Sequence, residues 1–180
     1  YTKEIAANIV LREEGLREGQ GLRLKQQAYA LSQGGACFVY ILDETNRDAI
    51  LDRLAARYRT VEGVEVVIEP KDFAKFGHRL PSVNPHEPDL MLSAADGYSF
   101  SGKDDGDLVI IPTDGPKGSH GYSPFHDLMG ASFVASGASI KPGVVLDKIS
   151  NTDVAPTMAA MLGVKMEEVE GRVLTEIFSE

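Results

Sequence analysis

Apolar residues near the start of the chain follow two different spacings. Between residues 3 and 14, Ile5 and Ile9 recur four positions apart, a spacing that places side chains on one face of a helix. The run from 36 to 42, Ala-Cys-Phe-Val-Tyr-Ile-Leu, is apolar without interruption. These patterns predict a helix over 3–14 and a buried strand over 36–42.

A compact unit of alternating elements is predicted next. Thr45-x-x-Asp48 is typical of a capping box and would open a helix that ends near residue 58. Val64 to Ile68 is rich in β-branched residues and predicts a strand, while residues 72–76 predict a short helix. Together with the strand before them, these elements are expected to form a small α+β subdomain over residues 35–89.

The chain then returns to strand-like patterns. Gly and Pro residues between 77 and 89 predict an irregular connection, after which Leu90 to Ala95 resumes as a strand. Turn-forming Asp and Gly residues separate two further short runs, 98–101 and 108–111. This succession predicts a meander.

The last part of the chain carries one strand pattern and one helix pattern. The apolar run around Phe133 to Ala135 predicts a strand, and Asp153 can cap a helix that has Pro156 in its first turn. The apolar face of that helix would consist of Val154, Met158, Met161 and Leu162. Alternating strands and helices with apolar strands predict an α/β fold, in which helices cover a sheet.

Composition and charge narrow the expected partners. The chain has 27 acidic against 18 basic residues, and its net charge of −9 disfavours a nucleic-acid surface. No apolar run approaches the roughly 20 residues of a membrane-spanning helix, so no membrane partner is expected. Cys37 is the only cysteine and is predicted to be a packed thiol. The single cysteine and the lack of a secretion signal favour a cytoplasmic location.

His120 is the leading candidate for a metal-binding residue. It stands between Ser119 and Gly121 in a polar, glycine-rich loop after an apolar strand, where an imidazole can reach a metal ion held by other elements. A catalytic zinc ion needs about three protein ligands, so His120 alone cannot hold one.

The other histidines are interpreted as lying outside a site. His78 and His86 fall in the irregular connection and are predicted to be solvated. His126, followed by Asp127, could orient a metal ligand from outside, but it is interpreted as a surface residue. Sequence motifs for a hydrolase nucleophile elbow, a P-loop or a dinucleotide-binding turn are absent.

Several segments together form a recognisable pattern. They are 8–16, 36–76, Gly118-Ser119-His120-Gly121-Tyr122, 133–137, Asp153-Val154-Ala155-Pro156-Thr157 and Glu170-Gly171-Arg172. In this order they resemble the C-terminal part of the type I phosphodiesterase/nucleotide pyrophosphatase family, which belongs to the alkaline phosphatase superfamily. Within the resemblance, 8–16 corresponds to the helix after the family's Asp-His-Gly motif.

The resemblance implies an alkaline-phosphatase-like sheet covered by helices. Residues 1–34 and 90–180 would belong to the core of the metal hydrolase, and residues 35–89 would be a cap-like α+β subdomain. The implied activity is hydrolysis of phosphodiester or pyrophosphate bonds in small-molecule or nucleotide substrates, with divalent metals, two zinc ions in the complete enzyme.

His120 matches the last metal-binding histidine of the family. The nucleophile and the other metal ligands would lie upstream of Tyr1, so no catalytic residue is expected in this segment, and no substrate-binding residue is assigned. The isolated segment is expected to be inactive, and its partner would be the missing N-terminal half.

Two alternatives stay open. The chain could be a non-catalytic α/β binding or dimerisation module, or it could belong to a hydrolase of the same superfamily that acts on phosphonates, sulfate esters or phosphomonoesters. A C-terminal part by itself would expose apolar segments at 108–111 and 133–135, so self-association is also expected.

Overall fold

The computed structural model contains strands and helices and describes residues 1–19, 23–126 and 129–179. The predicted mixed α/β class is confirmed. The strands are β1 (Lys3–Ala6), β2 (Arg17–Glu18), β3 (Lys25–Gln26), β4 (Ala28–Gln33), β5 (Ala36–Ile41), β6 (Val64–Ile68), β7 (Leu90–Ala94), β8 (Tyr98–Ser101) and β9 (Ile110–Pro112). The α-helices are α1 (Ala7–Glu13), α2 (Arg47–Tyr58) and α3 (Val154–Met161). Short 3-10 helices are Pro70–Phe76, Asn151–Asp153 and Thr175–Ile177.

The chain divides into two compact units, Tyr1–Gly130 and Ala131–Glu180. In the first unit, β4, β5, β6 and β7 form one sheet, so this sheet takes strands from each of the three predicted segments. The segment boundaries at residues 34 and 89 stay a prediction about domains. No helix within the described residues is both long and apolar enough to cross a membrane.

Strand β1 lies at the centre of a three-stranded sheet. It runs parallel to β8 and antiparallel to β9, so both edges of Lys3–Ala6 are hydrogen-bonded to neighbours. The helix predicted over 3–14 is therefore wrong in its first turn and begins at Ala7. The predicted meander is also wrong, because β1 separates the two strands that were expected to be neighbours.

Helix α1 follows β1 directly and is fixed to the neighbouring sheet by a buried amide. The side-chain nitrogen of Asn8 donates to the carbonyl oxygen of Ala30 at 2.8 Å, and its side-chain oxygen accepts from the Ala30 backbone N–H at 3.0 Å. Asn8 is only 1 % exposed. Both backbone groups of Ala30, on the edge strand β4, thus find a partner without water.

Strands β4, β5, β7 and β6 form an antiparallel sheet in that order. The strands predicted over 36–42, 64–68 and 90–95 are confirmed, whereas β4 lies in a stretch whose polar residues gave no strand pattern. The predicted helix after 45 is also confirmed, and α2 buries Ile50, Leu54, Ala55 and Tyr58. A continuous core therefore lies between α1, α2 and the two sheets.

The start of α2 differs from the predicted capping box. No side chain caps the helix at Asn46. Instead, the carboxylate of Asp43 accepts hydrogen bonds from the backbone N–H groups of Thr45 and Asn46, at 3.1 and 3.2 Å. Asp43 therefore orders the turn that leads into the helix. The predicted capping box that begins at Thr45 is not formed.

The second unit is built around α3. The predicted strand at Phe133 to Ala135 is wrong, since these residues are irregular and Val134 is 88 % exposed. The predicted helix is confirmed, but its predicted apolar face is wrong: Pro156, Thr157 and Ala159 are buried, and Met158, Met161 and Leu162 are exposed. The Leu174 N–H donates to the hydroxyl of Thr157, so this polar residue lies on the buried side of the helix and the methionines do not.

We predict that Asn8→Ala lowers the free energy of unfolding by about 1–3 kcal/mol, because it leaves the buried N–H and C=O of Ala30 without a partner. Chemical denaturation measures this loss. Asn46→Ala is the matched control, since Asn46 is exposed and caps no helix N–H, and it should cost less than about 1 kcal/mol. Equal losses in the two variants would contradict the structural role of Asn8.

Candidate functional site

The loop that carries His120 lies against the glycine turn between β4 and β5. The N–H of Gly35 donates to the carbonyl oxygen of His120 at 2.6 Å. The turn is itself fixed to the sheets, because the Gly34 carbonyl accepts from the N–H of Phe100 at 2.7 Å and the Gly35 carbonyl accepts from the N–H of Ala94 at 2.8 Å. The backbone of His120 is thus connected to β7 and β8 through one short turn.

This contact requires residues without side chains. Gly34 has a φ of 75°, and a Cβ at this position would lie 2.6 Å from the carbonyl oxygen of His120. A Cβ at Gly35 would overlap the ring of Tyr122, and one at Gly121 would overlap the carbonyl oxygen of Gln33. Two glycine-containing segments therefore approach each other more closely than any residue with a Cβ would allow.

Hydroxyl groups fasten the same loop beside the glycine turn. The hydroxyl oxygens of Ser99 and Ser119 are 2.9 Å apart, and the Tyr122 hydroxyl donates to the carbonyl oxygen of Tyr98 at 2.6 Å. The backbone N–H of Ser123 donates to the Ser93 hydroxyl at 3.1 Å. Burial raises the pKa of Tyr122, so its hydroxyl remains a neutral donor at physiological pH. The loop backbone is held by the turn and by β7 and β8.

His120 itself is exposed. Its backbone is fixed by the glycine turn, whereas among the described residues none makes a hydrogen bond or ion pair with its imidazole. Either ring nitrogen can therefore meet a ligand arriving from solvent. The arrangement suits a metal ligand or a hydrogen-bonding group more than a buried structural histidine.

A complete metal site does not fit the residues that the structure describes. Among them, no group of three or more His, Cys, Asp or Glu side chains is placed to hold a metal ion. The His126 ring lies 5.4 Å from the Tyr122 ring, measured between centroids, and Asp127 lies outside the described residues. The expected zinc pair stays a prediction, with His120 as the one candidate ligand assigned to this chain.

The remaining histidines differ from one another. His86 is exposed, as predicted for a solvated residue. His78 is not simply solvated: its Nδ1 is 2.9 Å from a carboxylate oxygen of Glu87, and its ring meets those of Phe38 and Phe73 edge-on. This pair joins the beginning and the end of the irregular connection, so His78 has a structural role.

Cys37 carries no chemistry. Its side chain is fully buried in the core, and burial raises the pKa of its thiol well above the ordinary value. The packed thiol predicted for this residue is confirmed.

The polar motif of the second unit holds that unit together. The buried carboxylate of Asp153 accepts from the backbone N–H groups of Ser150 and Arg172, both at 2.9 Å. The Thr157 hydroxyl donates to the Asp153 carbonyl at 2.6 Å and accepts from the Leu174 N–H at 2.9 Å. Asp153 and Thr157 thus connect α3 to residues 172–174, and Asp153 is a capping-box partner of Ser150 as well as part of the motif.

One surface depression lies away from the His120 loop. It is lined by Ile9, Arg12, Glu13, Arg17, Glu18, Gly19, Gly106 and Asp107. Arg12 donates to the carbonyl oxygens of Asp104 and Gly106, and Arg17 pairs with the Asp104 carboxylate and Gln26. Because these cations are already hydrogen-bonded to the 104–107 turn, the depression does not indicate a particular class of ligand.

Comparison with known proteins leaves the family open. No family model, curated protein or solved structure matches the chain. A family assignment therefore rests on the motif pattern around His120 and Asp153.

We predict that Thr157→Val destabilises the second unit by about 1–3 kcal/mol, because the isosteric side chain leaves the buried Leu174 N–H unpaired. The hydrogen-exchange rate of the Leu174 amide reports local unfolding and measures the effect. The control Thr175→Val replaces an exposed threonine and should leave that exchange rate unchanged. An unchanged Leu174 rate in Thr157→Val would show that the hydroxyl does not hold α3 in place.

The Asp153 carboxylate should make the second unit acid-sensitive. Hydrogen bonds from the backbone N–H groups of Arg172 and Ser150 lower its pKa below the ordinary value of 3.8. Its contribution to stability is therefore present above about pH 3.8 and is lost as the pH falls through the lowered pKa of the folded state.

This acid sensitivity is measured by the hydrogen-exchange protection of the Arg172 amide as the pH is lowered from 6 through the acidic range. We expect protection in the wild type to fall progressively below about pH 3.8 and to be weak throughout in Asp153→Ala. Asp147→Ala, at an exposed aspartate of the same unit, should follow the wild type. Wild-type behaviour in Asp153→Ala would contradict this role.

Proposed function

We propose that the chain supplies His120 as a metal ligand to a metal-dependent phosphodiesterase or nucleotide pyrophosphatase of the alkaline phosphatase superfamily. The observation that carries the proposal is the exposed imidazole on a loop whose backbone is fixed by the Gly34–Gly35 turn. The motif pattern from Gly118 to Tyr122 and from Asp153 to Thr157 is the reason for proposing this particular superfamily. Under this proposal the sheets and α-helices form part of an alkaline-phosphatase-like fold.

The geometry is compatible with a ligand role. A ligand must present a neutral ring nitrogen at a fixed place, and the hydrogen-bonded backbone and exposed imidazole of His120 meet part of that need.

Charge supports the same proposal. A chain with a net charge of −9 repels a phosphate ester, and bound divalent cations are the usual means by which an acidic site attracts such an anion. Since the described residues contain no three-ligand group, further ligands are needed besides His120. The substrate class under this proposal is a small phosphodiester or nucleotide.

A second candidate is a non-catalytic binding or dimerisation module. The second unit favours it, because several large apolar side chains there are exposed: Phe133, Val134, Val145, Met158, Met161, Leu162, Val164, Met166 and Val169. Apolar groups in that number are typical of surfaces that meet a partner. Self-association belongs to this candidate and is compatible with the first.

Under this proposal, the chain together with the proposed N-terminal half hydrolyses bis-p-nitrophenyl phosphate in a zinc-dependent way, whereas the chain alone does not. His120→Ala should lower kcat/KM at least tenfold, about the loss seen when even an outer-shell partner of a metal ligand is removed. His86→Ala is the matched control, since His86 is an exposed histidine of the irregular connection, and it should retain wild-type turnover.

Two results would reject parts of the proposal. Unchanged turnover in His120→Ala removes this residue from the site. Lack of zinc-dependent hydrolysis in the wild type, together with concentration-dependent association in light scattering, favours the binding or dimerisation module.

A further inference from the structure

We infer that an exposed apolar face at the end of α3 is a docking site for a cationic amphipathic helix of a partner protein. This α3 face consists of Met158, Met161, Leu162 and Val164. The inference rests on the second candidate function, the binding module, and names the chemistry of its partner. It does not depend on a metal ion at His120.

The α3 face is turned away from the core of its own unit. The Leu174 N–H donates to the Thr157 hydroxyl at 2.9 Å, so Thr157 is fixed on the buried side of the helix. Residues three or four positions apart lie together on a helix surface, and Met158 therefore lies beside Met161 and Leu162. These three side chains are 55, 43 and 75 % exposed. The helix cannot rotate to bury them without breaking the hydrogen bond at Thr157.

The end of the helix adds a fourth apolar side chain to the face. Gly163 has a φ of 68°, and the Val164 N–H donates to the Ala159 carbonyl at 2.8 Å. The chain thus reverses at Gly163 and keeps Val164, which is also exposed, beside the last turn of α3. Burial of four such side chains by a partner would be favourable.

The composition of the α3 face suits a helical partner. Two of its four residues are methionines, whose unbranched and flexible side chains adapt to apolar surfaces of different shapes. An amphipathic helix binds by placing its apolar side on a surface of this kind. The α3 face therefore fits the apolar side of a partner helix.

Carboxylates beside the α3 face determine the charge expected of that partner. Over residues 165–170, three glutamates stand against one lysine. Lys165 pairs with Glu167 at 2.8 Å, whereas Glu168 and Glu170 are exposed and pair with no residue that the structure describes. These two carboxylates are free to pair with lysine or arginine on the polar side of a bound helix.

The same charges disfavour the other occupants of an apolar face. Each copy of the chain has a net charge of −9, and a two-fold contact through this face would bring the free glutamates of one copy near those of the other. Anionic lipid surfaces attract basic segments, so they would repel this one. A cationic helix is the occupant for which the apolar and the charged groups are both complementary.

The test is binding of a fluorescein-labelled peptide to the 180-residue chain, measured by fluorescence anisotropy. The peptide contains about 15 residues of leucine and lysine, spaced so that a helix has leucine on one side and lysine on the other. A second peptide, with glutamate in place of lysine, tests the sign of the charge. Light scattering on the same samples measures self-association.

We expect the lysine peptide to bind, and Met158→Gln to weaken its binding about tenfold, because a polar group then replaces a buried apolar one. Met129→Gln is the matched control, since Met129 is an exposed methionine of the first unit, and it should match the wild type.

The charge is tested by Glu168→Gln/Glu170→Gln, which should weaken binding about threefold or more and reduce its dependence on salt. The double variant Glu44→Gln/Asp105→Asn is the matched control. It removes two exposed carboxylates of the first unit, changes the net charge by the same amount and should retain wild-type affinity.

Three results would overturn the inference. Wild-type affinity in Met158→Gln, or equal weakening in the two double variants, would mean that the peptide binds through net charge alone. Binding of the glutamate peptide as tight as that of the lysine peptide would exclude charge complementarity. Absence of peptide binding, together with self-association that Met158→Gln abolishes, would mean that a second copy covers the α3 face.

The failure of this inference can be told apart from that of the proposed functions. Self-association without peptide binding keeps the dimerisation module and rejects only the cationic partner. Absence of both rejects the cationic partner and removes the α3 face as support for the second candidate function. None of these measurements involves phosphodiester hydrolysis, so none of them depends on the role of His120.

Discussion

The close backbone approach between the Gly34–Gly35 turn and the loop around His120 is the constraint on which the candidate site depends. Two segments far apart in sequence share a 2.6 Å hydrogen bond at a place where side chains would collide. Because the turn also closes the β4–β5 hairpin, the sheet and the candidate site are specified by the same few atoms. The backbone of His120 is thereby held by hydrogen bonds that connect it through the turn to β7 and β8.

The local sequence predicted those strands and helices whose apolar residues fit only one type of secondary structure. The apolar run at 36–41 and the β-branched run at 64–68 form strands, and α2 buries the residues that recur along one face. At residues 3–6 the pattern was ambiguous, since Ile5 and Ile9 are both buried although one lies in a strand and the other in a helix. Pairing with β8 on one side and β9 on the other decides the outcome, and neither partner is visible from local sequence.

The candidate site shows the same division between local and long-range information. His120 could be singled out from its flanking glycines, and its exposed position agrees with that choice. The role of the Gly34–Gly35 turn could not be predicted, because β4 lies in a polar stretch that gave no strand pattern and so no hairpin was expected there. What makes Gly35 special is the Tyr122 ring above it, a contact that only the folded chain creates. In the second unit, Asp153 was predicted to cap α3, but its side chain makes no capping hydrogen bond to that helix. It bonds instead to the backbone of Ser150 and Arg172, while Thr157 bonds to Leu174, and these partners follow from the tertiary structure.

Under the proposed function, the His120 loop is a backbone-held support for a metal ligand. The most direct measurement is a crystal structure of this chain with its proposed N-terminal half, grown with zinc and with data collected at the zinc absorption edge. An anomalous peak is expected about 2.0–2.1 Å from a ring nitrogen of His120, with the Gly35 N–H still bonded to the His120 carbonyl. Zinc bound elsewhere while the His120 imidazole remains in solvent would contradict it.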